Sequence, residues 1–392
     1  MSDRQATQAV HDGEERRKPY GALTTPIVQT STYTFADTAE IRDFMKRKAA
    51  DDPNRQEEYG RYGNPTQGAV ERKLAVLEGG ECALLFASGM CAITTTLLTL
   101  LSAGDHLIAV AGLYRRTREF IATYLPRWGI ETTFVGSEAA EIGEAIRPTT
   151  RLLFLEAPTN PHLRVPDVER IAQQVKADEV TTVIDATFST PVNLRPLALG
   201  VDVAIHSATK YLGGHNDLLA GAVVGPRRLL GGIEAARGVL GGVAGPHDAY
   251  LLLRGMKSLP LRVHRQNESA QRIAEFLEGH PAVSRVYYPG LASHPDHRVA
   301  ARLMSGFGGV VSFEVAGGMT AASRCVDRLR IPYVGPTLGG VESIVQQQAL
   351  LISLDEAQRH ASGISDALIR FAVGIEDTED LIEDLRQALE GI

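Results

Sequence analysis

Residues 201–217, VDVAIHSATKYLGGHND, constrain the fold of this chain more than any other stretch. Up to Ile205, apolar residues occupy every second position, which is the pattern of a strand. A polar cluster follows, in which Ser207 and Thr209 precede Lys210. A lysine just beyond a buried strand suits a Schiff-base site, because partial desolvation lets its amine lose a proton, and neighbouring hydroxyls can bind a phosphate. The alternative is an exposed lysine in a solvated loop, and features elsewhere in the chain are needed to distinguish the two.

Apolar runs alternate with helical patterns through the middle of the chain. Strand-like runs lie at 82–87, 105–110, 131–135, 151–155, 180–184, 201–205 and 219–224. Helical patterns fall between most of them, which predicts βαβ units and a mainly parallel α/β sheet. After about residue 245 a long helical stretch, short strands and a closing helix predict a smaller C-terminal α+β domain.

The first 65 residues are polar and are broken by glycine and proline, so they cannot build a core alone. Such an arm is either a flexible tail or a segment that docks on a neighbouring subunit. We therefore expect an arm at 1–65, a large domain at 66–245 and a C-terminal domain at 246–392.

Charge and cysteine content exclude several function classes. The formal net charge of −7 argues against a nucleic-acid partner or an acidic membrane surface. Cys82, Cys91 and Cys325 have no CxxC spacing, so neither a disulfide framework nor a metal site is predicted. Because no signal-peptide pattern and no transmembrane-length apolar segment occur, we expect a cytoplasmic protein without a membrane partner.

Polar residues follow the predicted strands at the edge where α/β sheets bind ligands. Ser88, Gly89 and Met90 form a helix start that could bind an anion. Asp185 supplies a carboxylate at a strand end, and Tyr114 supplies an aromatic ring. Glu156 and Asn160 are two further polar residues at this edge. Separately each has an ordinary explanation, since Asp185 could cap a helix and Tyr114 could be a core residue. Combined with Lys210 they match what pyridoxal phosphate requires, namely a lysine, a pyridine-nitrogen partner, phosphate donors and a stacking ring.

The chain resembles the transsulfuration family, the pyridoxal-phosphate enzymes of cysteine and methionine metabolism. The family's motifs occur in family order as YGRYGNPT (59–66), ASGM (87–90), EAPTNP (156–161), DVAIHSATKYLGGH (202–215), LGGVES (338–343) and RFAVG (370–374). The resemblance covers nearly the whole chain and implies the pyridoxal-phosphate transferase fold of type I.

The resemblance also implies roles for these residues. Lys210 would hold the cofactor and move protons, Asp185 would pair with the pyridinium nitrogen, and Tyr114 would stack on the ring. The implied phosphate ligands are Ser88, Gly89, Met90, Ser207 and Thr209 of one subunit, with Tyr59 and Arg61 of its neighbour. The implied substrate ligands are Arg370, Asn160, Thr337 and Glu156. Because the sites are shared, the family implies self-association, as a homotetramer built from dimers.

Several runs, such as YRRTR (114–118) and FGGVVSFEV (307–315), resemble the plant-type cystathionine γ-synthases within this family. That likeness implies γ-replacement on O-phospho-, O-succinyl- or O-acetyl-L-homoserine, with L-cysteine giving L-cystathionine. Elimination or sulfhydrylation, or a γ-substitution with a carbon or nitrogen nucleophile, are the alternatives. Arg115 and Arg116 stand where many members have glycines; they could favour a charged leaving group or be solvated helix charges. The stretch 346–352 also departs from the family pattern near the implied site.

Overall fold

The computed structural model describes residues 4–50, 52, 57–351 and 363–392. Residues 1–3, 51 and 53–56 of the predicted arm, and residue 352 of the divergent stretch 346–352, lie outside the described residues.

A seven-stranded sheet forms the centre of the larger part of the chain. Its strands are β1 (Cys82–Phe86), β2 (His106–Val110), β3 (Glu131–Val135), β4 (Thr150–Glu156), β5 (Thr181–Asp185), β6 (Val203–His206) and β7 (Gly221–Gly225). They are arranged in the order β1-β7-β6-β5-β4-β2-β3, and β7 is antiparallel to both of its neighbours while the remaining pairs are parallel. The predicted mainly parallel sheet is confirmed.

Helices cover both faces of this sheet and pack around two apolar clusters. The helices in this part of the chain are α1 (Gln5–His11), α2 (Thr38–Ala49), α3 (Pro65–Glu78), α4 (Gly89–Leu100), α5 (Arg115–Glu119), α6 (Ala139–Glu144), α7 (Val168–Val175), α8 (Thr190–Asn193), α9 (Arg227–Leu240) and α10 (Pro246–Met256). Local chemistry explains where α3 begins and ends. The Asn64 side chain accepts from the Thr66 amide at 2.8 Å, Pro65 takes the first helical position, and Gly79 adopts the left-handed conformation beyond the last turn.

A second, five-stranded sheet lies in the C-terminal part. Its strands are β8 (Val283–Tyr287), β9 (Val310–Val315), β10 (Tyr333–Val334), β11 (Ile344–Gln347) and β12 (Leu368–Ala372), in the order β10-β11-β12-β9-β8. The helices of this part are α11 (Leu259–Glu278), α12 (His297–Leu303), α13 (Gly318–Arg328) and α14 (Thr378–Leu389). The predicted α+β arrangement of this part agrees with the observed strands and helices. The exact domain boundaries stay a prediction.

The N-terminal arm contains more structure than its composition predicts. The sequence pattern missed α1 and α2, because Ala9 is the one buried residue of α1 and Phe44 the one buried residue of α2. The arm is held on its own chain by Glu14, whose carboxylate lies 2.8 Å from Lys257 and 3.6 Å from Lys73, and accepts from the Thr25 hydroxyl. The first part of the arm is therefore docked within the subunit.

No helix among the described residues is long and apolar enough to cross a membrane.

Candidate active site

A cavity of about 270 Å³ opens where the parallel strands of the large sheet end. It brings together most of the residues that the sequence predicts for the site. Those that line it are Ser88, Gly89, Met90, Tyr114, Glu156, Asn160, Asp185, Ser207, Thr209, Lys210 and Arg370. The residues before and after Thr337 also line the cavity, and Thr337 itself contacts Lys210.

Lys210 follows β6 and projects its amine towards the C-terminal part of the chain. Its Nζ donates a hydrogen bond of 2.7 Å to Oγ1 of Thr337. Burial disfavours the charged amine, and the nearby positive charge of Arg370 adds to this effect, so the pKa of Lys210 falls to about 8. The solvated-loop alternative for Lys210 is therefore wrong, and the amine can exchange a proton close to neutral pH.

Asp185 is the last residue of β5 and lies buried on the cavity wall. Its Oδ1 accepts from the backbone amide of Thr187 at 3.0 Å and from the Thr187 hydroxyl at 2.5 Å. Burial raises the pKa of Asp185, while the bonds from Thr187 and the nearby His206 work in the opposite direction. The Thr187 hydroxyl also accepts from the Ser207 amide at 2.8 Å, which ties the ends of β5 and β6 together.

Thr187 is a residue that sequence reasoning missed. The signal was present, because an aspartate commonly bonds the backbone two residues further along.

Glu156 ends β4 and fixes two other site residues by their backbones. Its carboxylate accepts from the Tyr114 amide at 2.7 Å and from the Asn160 amide at 3.2 Å. Burial, with the neighbouring charge of Asp185, raises the pKa of Glu156 well above its usual range. The geometry thus gives Glu156 a role in orienting the aromatic ring and the amide side chain, in addition to lining the cavity.

The start of α4 forms one end of the cavity. Ser88 caps this helix, and its hydroxyl accepts from the Cys91 amide at 3.1 Å. A Cβ at Gly89 would lie 2.8 Å from the Ser207 Cβ, so only glycine lets the helix start approach the strand end this closely. The free amides and the dipole of this helix, beside Ser207 and Thr209, make a suitable anion site.

Tyr114 precedes α5 with its side chain 43% exposed, which rules out the alternative of a core tyrosine. Arg116 pairs with Glu119 at 2.6 Å on the helix surface, and this contact favours the interpretation of Arg116 as a solvated helix charge.

Arg370 lies on β12 with 4% of its surface exposed. Its Nη1 donates to Oδ1 of Asn160 at 3.2 Å, and its Nη2 donates to the Thr337 carbonyl at 3.2 Å. Nη2 also donates to Oε1 of Gln346 at 2.9 Å, a residue that sequence reasoning did not assign to the site. Among the described residues no carboxylate pairs with Arg370, and burial lowers its pKa to about 10.

Tyr59 and Arg61 do not line this cavity in their own chain. They border a separate surface opening together with Thr30, Ser31 and Gly245, and Arg61 Nη1 donates to the Gly238 carbonyl at 3.1 Å. Their predicted role at the site of a neighbouring subunit stays a prediction.

The residues in the cavity fit pyridoxal phosphate. A lysine amine with a lowered pKa, a buried carboxylate, an exposed tyrosine ring and a glycine-lined helix start surround one space. The uncompensated Arg370 adds a place for the carboxylate of an amino acid beside that space.

Comparison with known proteins agrees with this chemistry. Residues 6–390 match the family described as "Cys/Met metabolism PLP-dependent enzyme". The chain is 47% identical over 392 residues to "Cystathionine gamma-synthase 1, chloroplastic" of Nicotiana tabacum, which covers 98% of this chain and 71% of that protein. It is 41% identical over 394 residues to "L-methionine gamma-lyase" of Fusobacterium nucleatum subsp. polymorphum, with 98% of each chain covered. The crystal structure of metB from Corynebacterium glutamicum superposes with a TM-score of 0.90 at 35% identity, over 99% of both chains.

Proposed function

The chain belongs to the pyridoxal-phosphate-dependent enzymes of cysteine and methionine metabolism, and from that premise we propose that it catalyses γ-replacement on an O-activated L-homoserine. The nucleophile in this proposal is the thiol of L-cysteine, and the product is L-cystathionine. The family and the superposition also confirm the predicted transferase fold and cofactor.

The observation that carries the proposal is the arrangement of Lys210, Thr337 and Arg370. Thr337 accepts from the Lys210 amine with its side chain and from the Arg370 guanidinium with its carbonyl. An amino acid whose carboxylate is bound at Arg370 would therefore present its α- and β-carbons near the one amine. A γ-replacement requires proton transfer at both carbons, and a single base of suitable pKa can serve both.

Pyridoxal phosphate, when bound, supplies the electron sink that makes the protons at these carbons acidic. The protein's own residues do the remaining work. Lys210 would take and return the protons, Asp185 would hold the pyridine nitrogen, Tyr114 would cover the ring, and the start of α4 with Ser207 and Thr209 would hold the phosphate.

The proposal includes a homotetramer in which each cavity is completed by Tyr59 and Arg61 of a neighbouring subunit. In support, Tyr59 is 41% exposed, both residues line a surface cavity, and neither lines the cavity that contains Lys210 of their own chain. A positive side chain and a phenol are suitable phosphate ligands.

Elimination is the second candidate function. It is favoured by the 41% identity to an L-methionine γ-lyase over 98% of both chains. The same site could release a γ-substituent without adding a nucleophile, and only the products distinguish the two reactions.

Product analysis by mass spectrometry tests the proposal. Holoenzyme is offered O-phospho-, O-succinyl- and O-acetyl-L-homoserine, each with and without L-cysteine. We expect cystathionine from at least one of them, which also identifies the leaving group. Formation of 2-oxobutanoate alone, at all cysteine concentrations, would contradict γ-replacement and support elimination.

A further inference from the structure

Among the residues that the structure describes, the guanidinium of Arg370 donates hydrogen bonds only to neutral groups. An arginine has five N–H donors. Three of them go to Asn160, Thr337 and Gln346, and each acceptor is a carbonyl or amide oxygen. The buried Nε has no hydrogen-bond partner in the part of the chain that the structure describes. The positive charge is thus held in place without being neutralised, and donors remain for a further acceptor.

Of the three acceptors, Gln346 lies directly opposite Arg370 in the sheet. The antiparallel register of β11 and β12 pairs Gln346 with Arg370, so the two side chains share one face. Gln346 is 8% exposed, and its Oε1 lies 2.9 Å from Nη2. A buried glutamine can satisfy an arginine donor and fix its orientation, whereas a glutamate at the same place would form an ion pair with it.

We propose that Gln346 is a positioning residue that orients Arg370 for the α-carboxylate of the substrate while leaving the charge of Arg370 free. Gln346 acts through Arg370, and it thereby determines the preference for amino acids over simple amines. This inference rests on the proposed function only in assuming an α-amino-acid substrate; it does not depend on the leaving group or the nucleophile.

The place of residue 346 beside Arg370 also explains why a neutral acceptor is needed there. An acidic residue at 346 would occupy the guanidinium in the way that a substrate carboxylate does, so the two would compete for the same charge. A side chain of similar size without an acceptor would keep the charge but lose the orientation. These two changes separate charge from position.

The test compares two ligands that differ only in the carboxylate. L-Norvaline and its decarboxylated counterpart n-butylamine both offer an amine and the same carbon chain, and neither carries a leaving group. Their dissociation constants are measured from the absorbance change of the bound cofactor in holoenzyme. The variants are Gln346→Glu, Gln346→Met and, as a matched control, Gln348→Glu. The Gln348 side-chain nitrogen has no hydrogen-bond partner among the described residues, so the control adds the same charge without breaking a bond from that nitrogen.

For Gln346→Glu we expect the preference for L-norvaline over n-butylamine to fall at least tenfold, because the new carboxylate would compete with the substrate carboxylate for the guanidinium. For Gln346→Met we expect a fall of about threefold, because the charge of Arg370 stays and only part of what its hydrogen bond to the substrate carboxylate contributes is lost with the orientation. Gln348→Glu should keep the preference within about twofold of the wild type. Thermal melting checks that each variant is folded, and if Gln346→Glu does not fold, Gln346→Met decides. An unchanged preference in a folded position-346 variant, or an equal loss for both ligands, would overturn the proposal. Failure to form cystathionine would leave this result unaffected.

Discussion

The amine of Lys210 donates to the Thr337 hydroxyl, and its burial and the charge of Arg370 determine its protonation. Burial and the charge of Arg370 lower its pKa to about 8, so the neutral, reactive form accumulates as the pH rises through that value. In apoprotein we predict that labelling of Lys210 by fluorodinitrobenzene, followed by peptide mass spectrometry, increases with a midpoint near 8. The exposed Lys46 provides an internal reference in the same digest.

The same labelling experiment separates the two causes of the lowered pKa of Lys210, which are burial and the charge of Arg370. Replacing Arg370 by methionine removes a positive charge and should move the midpoint upward, since the protonated amine is then less strongly opposed. A wild-type midpoint at the ordinary lysine value of about 10.4 would show that the cavity does not perturb this amine.

Single residues also show how far sequence reasoning reaches. Asp185 and Glu156 were predicted because each directly follows a strand-like run, and Lys210 because it lies a few residues beyond one. Parallel strands bring such ends to one edge. The stretch that begins with Gln346 was placed near the implied site, but the contact of Gln346 with Arg370 was not predicted. That contact depends on the pairing of two strands, and the two residues are 24 positions apart in the chain. Nothing local in the sequence specifies that register.

At the scale of elements, the strands of the large sheet were recognisable and those of the small sheet less so. Strands buried on both faces read as continuous apolar runs, and the observed β1 to β7 start and end within about two residues of the predictions. In contrast β11 contains Gln346 and Gln347 at buried positions, so its sequence does not look like a buried strand. Their side chains bond to other elements: the Gln347 nitrogen donates to the Met319 carbonyl, and the Gln346 oxygen accepts from Arg370.

The position of the start of α4 depends on a close approach of its backbone to neighbouring strand ends. Besides Gly89, Gly221 on β7 is required here, because a Cβ there would lie 2.1 Å from the Ser88 carbonyl oxygen. The two glycines let a helix and a strand end meet at the anion site. Sequence reasoning predicted Gly89 as a ligand-binding residue, but the packing role of Gly221 follows only from the structure.

At the scale of the whole molecule, the first part of the N-terminal arm contacts its own chain, and its last part is proposed to contact a neighbouring subunit. Glu14 and its lysine partners hold the first part on the subunit, whereas Tyr59 and Arg61 remain away from the cavity of their own chain. The completion of an active site by these two residues of a neighbouring subunit is indicated by the family resemblance of the amino-acid sequence.

Mixing two inactive variants tests the shared site. Lys210→Ala subunits keep Tyr59 and Arg61, and Arg61→Ala subunits keep Lys210, so a hybrid dimer would contain one complete cavity. Co-expressed with different tags, the pair should recover roughly a quarter of wild-type turnover, as expected for random pairing in a two-fold dimer. Activity no higher than that of the separate variants would mean that each cavity is built from one chain.

In the proposed γ-replacement one amine, Lys210, moves protons at two adjacent substrate carbons. The most direct test of this proposal is to form cystathionine in deuterium oxide and to measure deuterium at each carbon of the homoserine-derived half by NMR. We predict deuterium at both the α- and the β-carbon, because the amine exchanges its protons with solvent between taking and returning them. Cystathionine formed without deuterium at the β-carbon would contradict the account, since the leaving group would then have been displaced directly.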